Sequence, residues 1–371
     1  MQAKGAVLRG VGQQWEVADL ELDEPRQNEL LVRIVASGLC HSDDHYVTGD
    51  LPIAHWPVCA GHEGSGVVER VGPNTTGWEV GDHLVLQFIA ACGRCRFCAM
   101  GRQALCGAGA RMMTGTREDG SYRFHENGLP VLQSGGISTF SNYTVIDVFS
   151  AVKIPKDIPL EKACLVGCGV ATGYGSAVNS AGIQFGDTVI VMGIGGIGIN
   201  AVQGAVHRGA ANVIAVDPVE FKREKASEFG ATHTFATMKE ATSFAKSVTD
   251  WQGADSAIVT VGITTGDHIA EGFNAIRKGG TVVMTGIGNW GTKGIPISPT
   301  EMSMYNKRLQ GSLYGEMNPS KDIPLLLSMY QAGKLKLDEL ITRTYKLSEI
   351  NQGYADMHAG VNLRGVVIHE H

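Results

Sequence analysis

The sequence predicts an α/β chain in which a doubly wound parallel sheet is joined to a mostly β region. Three observations predict it. Residues up to about 150 read as short strands broken by frequent turns; after about residue 170 apolar strands alternate with helical patterns; and one of those strands runs into a glycine turn that opens a helix. Alternation of strand and helix implies parallel pairing with right-handed crossovers. At 371 residues the chain exceeds one ordinary core and suits two domains.

Each element follows from local pattern. Leu30-Leu31-Val32-Arg33-Ile34-Val35 is β-rich, and Gly66-Val67-Val68-Glu69-Arg70-Val71-Gly72 is a strand bounded by glycines. Gly77-x3-Gly81-Asp82 marks a turn into His83-Leu84-Val85-Leu86. Further on, Asp187–Met192 is a continuous apolar strand, followed by a glycine turn and a helical stretch through Val202, Ala205 and Val206. Asn212–Asp217 is the next strand. Pro218 after it is expected as the first residue of a helix running through Phe221, Lys225 and Phe229 to a stop at Gly230. Ser256–Val261 and Thr281–Thr285 supply two more strands. Beyond about residue 313 the patterning is mixed again, so that the tail is expected to rejoin the first region.

Composition narrows the function. A net charge of -6 argues against nonspecific nucleic-acid binding, there is no basic aromatic patch, and no apolar run is long enough to span a bilayer, so neither nucleic acid nor membrane is an expected partner. The N-terminus carries no apolar stretch of a secretory signal, and a cytoplasmic location is expected.

Four cysteines within fifteen residues, Cys92-x2-Cys95-x2-Cys98-x7-Cys106, carry the sharpest chemical signal. Thiolates at this pitch close a tetrahedron around one Zn²⁺ with no open position, which makes a structural site. The competing reading is two disulfides; a cytosolic chain with clustered cysteines is more often a metal protein. Of the eight cysteines, Cys40, Cys59, Cys164 and Cys168 remain.

Gly193-Ile194-Gly195-Gly196-Ile197-Gly198 is a G-x-G-x-x-G run between strand and helix, and Asp217 ends the next strand nineteen residues after Gly198. That context is the dinucleotide fingerprint: glycines bring backbone amides to a pyrophosphate at a helix N-terminus, and the carboxylate accepts from ribose hydroxyls. A carboxylate there disfavours a 2′-phosphate, so NAD is expected over NADP, a preference that nearby Lys222 and Arg223 weaken slightly.

A second ligand set precedes the cysteine cluster. Cys40-His41-Ser42-Asp43-Asp44-His45 and Gly61-His62-Glu63-Gly64 are dense in groups that bind metal or move protons. A catalytic zinc takes about three protein ligands and keeps one position open. Cys40 and His62 supply two, with Asp43 suited to receive the other N–H of the histidine. From spacing the third ligand stays open among Cys59, Cys164 and Cys168.

With these residues in view, the chain resembles the zinc-dependent medium-chain alcohol dehydrogenases over essentially its whole length. The resemblance rests on Cys40–His45, Gly61-His62-Glu63-x2-Gly66-x5-Gly72, the four-cysteine lobe, Gly167-Cys168-Gly169-Val170-Ala171-Thr172-Gly173-Tyr174-Gly175 and the fingerprint ending in Asp217. It implies a catalytic GroES-like domain over residues 1–169 and 313–371, with a structural zinc lobe at about 90–108, and an NAD-binding Rossmann domain over 170–312. It implies two Zn²⁺ per chain, the catalytic one on Cys40, His62 and Cys168 with Glu63 behind it and Asp43 supporting His62. Ser42 and His45 fall at the family's proton relay, Thr172 and Ile197 beside the nicotinamide, Lys222 near the adenosine ribose, His41 and Arg364 beside the pyrophosphate, and Phe88 and Trp56 at the substrate pocket. A homodimer or homotetramer is implied as well.

A narrower resemblance lies in Asn318–Leu327, Ala332–Leu340 and Ile350–Tyr354, which look like the actinobacterial N,N-dimethyl-4-nitrosoaniline-dependent (NDMA-dependent) alcohol dehydrogenases. Membership there implies tightly held NAD, reoxidised in place by an external carrier similar to mycofactocin. Two rival functions remain at this point: a formaldehyde or thiol-adduct dehydrogenase of the same fold, and a zinc-binding protein of the family without catalysis, against which an intact set of Cys40, His62 and Cys168 argues.

Overall fold

The computed structural model describes residues 1–371, which form two compact units: Met1–Cys168 with Asn318–His371, and Gly169–Met317. No helix is long and apolar enough to cross a membrane.

The second unit is built on six strands, all paired in parallel, in the order His233–Phe235, Asn212–Val216, Thr188–Met192, Ala254–Val259, Ile276–Met284, Arg308–Gly311. Thr188–Met192 is buried along its whole length, as a central parallel strand covered on both faces must be. It is first in sequence yet third in space, so the chain direction switches beside it, and the crevice at its C-terminal end is where doubly wound sheets bind ligands. Ile190, Ile214, Val259 and Val282 pack one core with Met238, Ala241 and Phe273 of the flanking helices.

Pro218 does not open its helix. The helix spans Glu220–Glu228 with Val219 at its N-cap. The Asp217 carboxylate accepts from the Val219 amide at 2.9 Å, and this turn of backbone uses up Pro218 before the helix can begin. The stop at Gly230, with φ of +103°, is the expected left-handed one.

The first unit is mostly antiparallel. A small closed barrel is formed by Gln2–Leu8, Glu16–Leu22, Phe124–Glu126, Leu129–Gln133 and Val58–Cys59. A seven-stranded sheet is centred on Glu29–Gly38, a ten-residue strand buried nearly throughout. The tail returns to this sheet: Arg364–Ile368 lies antiparallel to Glu29–Gly38, with Val366 opposite Gly38, and carries Ile341–Tyr345 beside it.

Candidate active site

Strand register assembles the first cluster. Ser37 of Glu29–Gly38 lies opposite Gly64 of Gly64–Val71, so Cys40, three residues beyond one, and His62, two residues before the other, emerge at the same end of the sheet. Gly61 makes the approach, with φ of +87° and a position where a Cβ would lie 2.4 Å from the Phe140 nitrogen. Cys168 arrives on a turn whose Gly167 packs against the Leu86 carbonyl, and Leu86 is the register partner of Gly64. The ligand atoms of Cys40, His62, Glu63 and Cys168 all lie within 4.8 Å of one another, and all four residues are buried.

Cys59 and Cys164 are elsewhere. The Cys59 thiol faces the Phe140 carbonyl and the Cys164 thiol the Glu161 carbonyl, and burial pushes both thiols up, Cys59 to about 12. Within the cluster Cys40 is held well below the usual thiol range, first by a hydrogen bond from Cys168 and then by His62, while Cys168 rises in return. A thiol already inclined to ionise, a thiol, and the His62 Nε2 3.2 Å from Cys168 Sγ are a donor set chemically suited to Zn²⁺.

Charged groups support this set. Asp43 Oδ2 lies 3.0 Å from His62 Nδ1, while Asp43 Oδ1 accepts from the Gly61 amide at 3.0 Å. The carboxylate therefore turns the Nε2 of His62 toward the cluster. Burial pushes the Glu63 carboxyl up to about 7, and Arg364 opposes that rise. Arg364 is buried and pairs with Glu63 through a guanidinium nitrogen that also donates to the Leu39 carbonyl. Gly38 permits that pairing, because a Cβ there would lie 2.1 Å from Glu63 Oε2.

The helix His41–Thr48 begins at Cys40 and buries Asp43, Asp44 and His45. Ser42 Oγ is 3.6 Å from Cys40 Sγ, beside the ligand cluster. His41 stacks edge-on to His45 at 5.1 Å, and burial, then the neighbouring His45, lowers its pKa. Phe88 stands edge-on to the His62 ring at 5.4 Å. Trp56 is not in the same apolar cluster as Phe88: it packs against the core containing Leu8, Phe140 and Tyr354, in company with Tyr46 and Tyr122, whereas Phe88 packs with Leu30, Leu86 and Ile137.

The four-cysteine lobe is compact. Its sulfurs lie within 4.8 Å of one another, and Cys95 Sγ is 3.8 Å from Cys106 Sγ. Tetrahedral bonds of about 2.3 Å to zinc require sulfurs about 3.8 Å apart. No two cysteines are joined by a disulfide. The Cys92 amide donates to Cys106 Sγ at 3.3 Å, as thiolates in metal lobes receive backbone N–H groups.

In the second unit the glycine run leaves the end of Thr188–Met192. Gly193 takes φ of +89°, a Cβ on Gly198 would meet the Gly193 carbonyl at 1.9 Å, and a Cβ on Gly195 would meet nothing within 4 Å. The turn is thus closed on its inner side and open at Gly195, the cradle a pyrophosphate needs. Asp217 is buried and accepts from the Ile194 amide at 2.8 Å as well as from Val219, so the carboxylate expected at the ribose also holds the loop. Arg223, not Lys222, folds back on Asp217, donating to its carbonyl at 2.8 Å. Thr172 lies in the helix Gly169–Gly175, which seats on the loop where a Cβ on Gly173 would come 2.0 Å from the Ile197 carbonyl.

Residues 26–156 match the family described as alcohol dehydrogenase GroES-like domain, and residues 196–332 match the family described as zinc-binding dehydrogenase. Over 369 residues the chain is 50% identical to the NDMA-dependent alcohol dehydrogenase of Amycolatopsis methanolica, covering 100% of this chain and 99% of that one. The chain belongs to the zinc-dependent medium-chain alcohol dehydrogenases. The crystal structure of benzyl alcohol dehydrogenase from Acinetobacter calcoaceticus superposes on this dehydrogenase with a TM-score of 0.92 at 30% identity, covering 100% of each chain. S-(hydroxymethyl)glutathione dehydrogenase of Paracoccus denitrificans is similar at 33% identity, again over 100% of each chain. The fold is that of the GroES-like and Rossmann pair expected of the family, and the cofactors of the dehydrogenase are Zn²⁺ and NAD.

Two partnerships escaped the sequence reading. Glu63 and Arg364 were legible singly and not as a pair, because 301 residues separate them. Buried Asp44 binds His358 Nε2 at 2.7 Å, for which the sequence offers only a histidine at a helix end.

Proposed function

We propose that the dehydrogenase oxidises a small primary or secondary alcohol to the aldehyde or ketone, with Cys40, His62 and Cys168 as ligands of a catalytic zinc and Cys92, Cys95, Cys98 and Cys106 as ligands of a structural one. The convergence of the Cys40, His62 and Cys168 ligand atoms, with a hydroxyl at Ser42 beside them, carries this reading. When bound, zinc supplies Lewis acidity worth on the order of nine pKa units toward an O–H group, and NAD supplies the hydride acceptor. Ser42 accepts the proton of the substrate hydroxyl and His45 carries it onward, a task suited to an imidazole near neutrality. Asp43 keeps His62 in its ligating tautomer, Glu63 and Arg364 hold charge behind the cluster, and Phe88 walls the pocket against water. The glycine loop from Gly193 to Gly198, with Ile197 and Thr172, orients the dinucleotide, and His41 and Arg364 serve its pyrophosphate. Asp217 and Lys222 serve its adenosine ribose. Residues 1–169 with 313–371 act as the catalytic domain and 170–312 as the NAD domain.

The likeness to an NDMA-dependent enzyme supports NAD that stays bound between turnovers and passes its electrons to an external carrier of the mycofactocin type. The strand Arg308–Gly311 ends the parallel sheet as an edge with exposed residues, a surface for pairing with a second copy, which supports a homodimer or homotetramer. A cytoplasmic location suits a lobe whose four thiols must stay reduced.

The purified protein tests the reading through its absorbance. Bound NAD should be present without addition, and an alcohol should raise the NADH band in one turnover, with two zinc ions per chain by elemental analysis. A preparation with both zincs and NAD that no alcohol reduces, while a hydroxymethyl-thiol adduct does, would shift the substrate to the thiol-adduct class.

A further inference from the structure

We propose that Asp50 is a positioning residue of the proton relay, fixing His45 in the tautomer whose Nε2 accepts a proton; the proposal rests on the relay reading of Ser42 and His45 given above. His45 is only 2% exposed, so bulk water does not orient its ring. Its Nδ1 lies 3.3 Å from Asp50 Oδ2. A carboxylate has no proton to give, so Nδ1 must carry the hydrogen of that contact and the neutral ring keeps its lone pair on Nε2.

The local chain is built to bring this carboxylate back. The helix His41–Thr48 ends on Gly49 in the left-handed conformation, with φ of +78°. The chain then reverses, and the Leu51 amide donates to the His45 carbonyl at 3.3 Å. Thr48 Oγ1 donates to the same Asp50 Oδ2 at 2.5 Å, holding the carboxylate at the Nδ1 edge of the ring. The Asp50 side chain is 12% exposed, so solvent screens the contact only in part.

The other ionisable groups nearby are already engaged. His41, on the same helix, stacks on His45, and its Nε2 is 3.9 Å from Asp44 Oδ2. Asp44 in turn binds His358 Nε2 from the helix Ile350–His358 at 2.7 Å. Asp44 Oδ2 is therefore taken by His358, and the carboxylate that contacts His45 is that of Asp50. A histidine general base oriented by a carboxylate through its second nitrogen is a known way to fix a proton acceptor.

Asp50→Asn tests this, because it keeps size and an acceptor oxygen but also offers a donor and removes the charge. The first readout is the ¹⁵N spectrum of histidine-labelled holoenzyme, with the His45 signals assigned by His45→Gln. The wild type should show a single Nδ1–H tautomer and D50N a mixture. The second is the single-turnover rate of NAD reduction by alcohol, which should fall about tenfold in D50N with zinc and NAD content unchanged, and recover in Asp50→Glu. A wild-type Nε2–H tautomer, or one tautomer preserved in D50N, overturns the proposal. So does a D50N protein that loses melting temperature but neither rate nor tautomer. A His45→Gln enzyme that turns over at the wild-type rate sinks the relay reading instead, while the tautomer of His45 still judges Asp50.

Discussion

Asp43→Asn isolates what a buried carboxylate does for His62 as the proposed metal ligand. In the wild type one oxygen lies 3.0 Å from His62 Nδ1 and the other accepts from the Gly61 amide at 3.0 Å. Burial raises the Asp43 carboxyl, and the proximity of His62 is the main force against that rise. The asparagine has one acceptor for two donors. If its oxygen stays on Gly61, its NH₂ group faces the Nδ1–H of a ligating His62, donor against donor; if it turns, the Gly61 amide is stranded. Replacing a charged acceptor by a neutral one costs about 1–1.5 kcal/mol, and leaving one buried donor unmet costs about 1–3 kcal/mol more. The sum is about 2–4.5 kcal/mol, and we expect zinc affinity at this site to fall about 100-fold, the upper end of the usual range for such partners. Competition with a chromophoric chelator, read as zinc released per chain, measures it. The four-cysteine lobe is the internal control, since no atom of Asp43 reaches it. Zinc that leaves both sites equally, or a catalytic site as tight as in the wild type, would refute the reasoning that one carboxylate orients His62.

Other perturbations separate the remaining roles. Cys106→Ser should release the lobe zinc alone and lower the melting temperature by on the order of 5 °C while the Cys40 site keeps its metal; parallel loss of both metals would oppose that division. Asp217→Asn can satisfy only one of the two amides, Ile194 and Val219, that the carboxylate now accepts, so affinity for NAD should fall and the preference over NADP should shrink about tenfold by fluorescence titration. An unaltered ratio would remove Asp217 from the ribose. His369 sets an acid limit: its Nε2 faces the Thr139 carbonyl at 3.0 Å, its Nδ1 is buried without a partner, and burial, aided by His371, lowers its pKa to about 3. The folded value lies below the unfolded one, so its contribution is whole above pH of about 6.5 and lost as pH falls toward 3, about 2 kcal/mol by pH 5. Urea melts at pH 7.5 and 5 should show that loss, and His369→Gln should lack this part of it.

Much of this was legible in the sequence, for physical reasons. Parallel strands buried on both faces must be continuous apolar runs, so Thr188–Met192 and Asn212–Val216 announce themselves, and a turn that approaches phosphate must be glycine. Thiolates at fixed pitch have few uses besides metal. What pattern could not decide was which thiol joins Cys40 and His62: Cys59, Cys164 and Cys168 are alike as residues and differ only in where the chain turns, with Gly167 against Leu86 bringing one of them in. The Pro218 boundary failed for a similar reason, since a side chain fixed the turn ahead of the helix. The pairs Glu63–Arg364 and Asp44–His358 join segments 301 and 314 residues apart, and no local period records such a contact.

The two sites place their demands on different parts of the chain. At the proposed dinucleotide loop the binding groups would be backbone, so the requirement falls on glycines and on one carboxylate that holds the loop in shape. At the metal cluster the requirement is charge, and Asp43, Glu63 and Arg364 are all buried. A buried charge is tolerable only when paired, and removing one member of such a pair typically costs about 3–5 kcal/mol because the other is left uncompensated. At the cluster Glu63 is answered by Arg364 of the returning tail, and Asp43 is met by the Gly61 amide and by His62 Nδ1. The tail strand Arg364–Ile368 is held in register by Val366 opposite Gly38, and the same pairing delivers the guanidinium to Glu63. The strand that joins Glu29–Gly38 to Ile341–Tyr345 in the sheet thus also supplies the cation that compensates the buried Glu63.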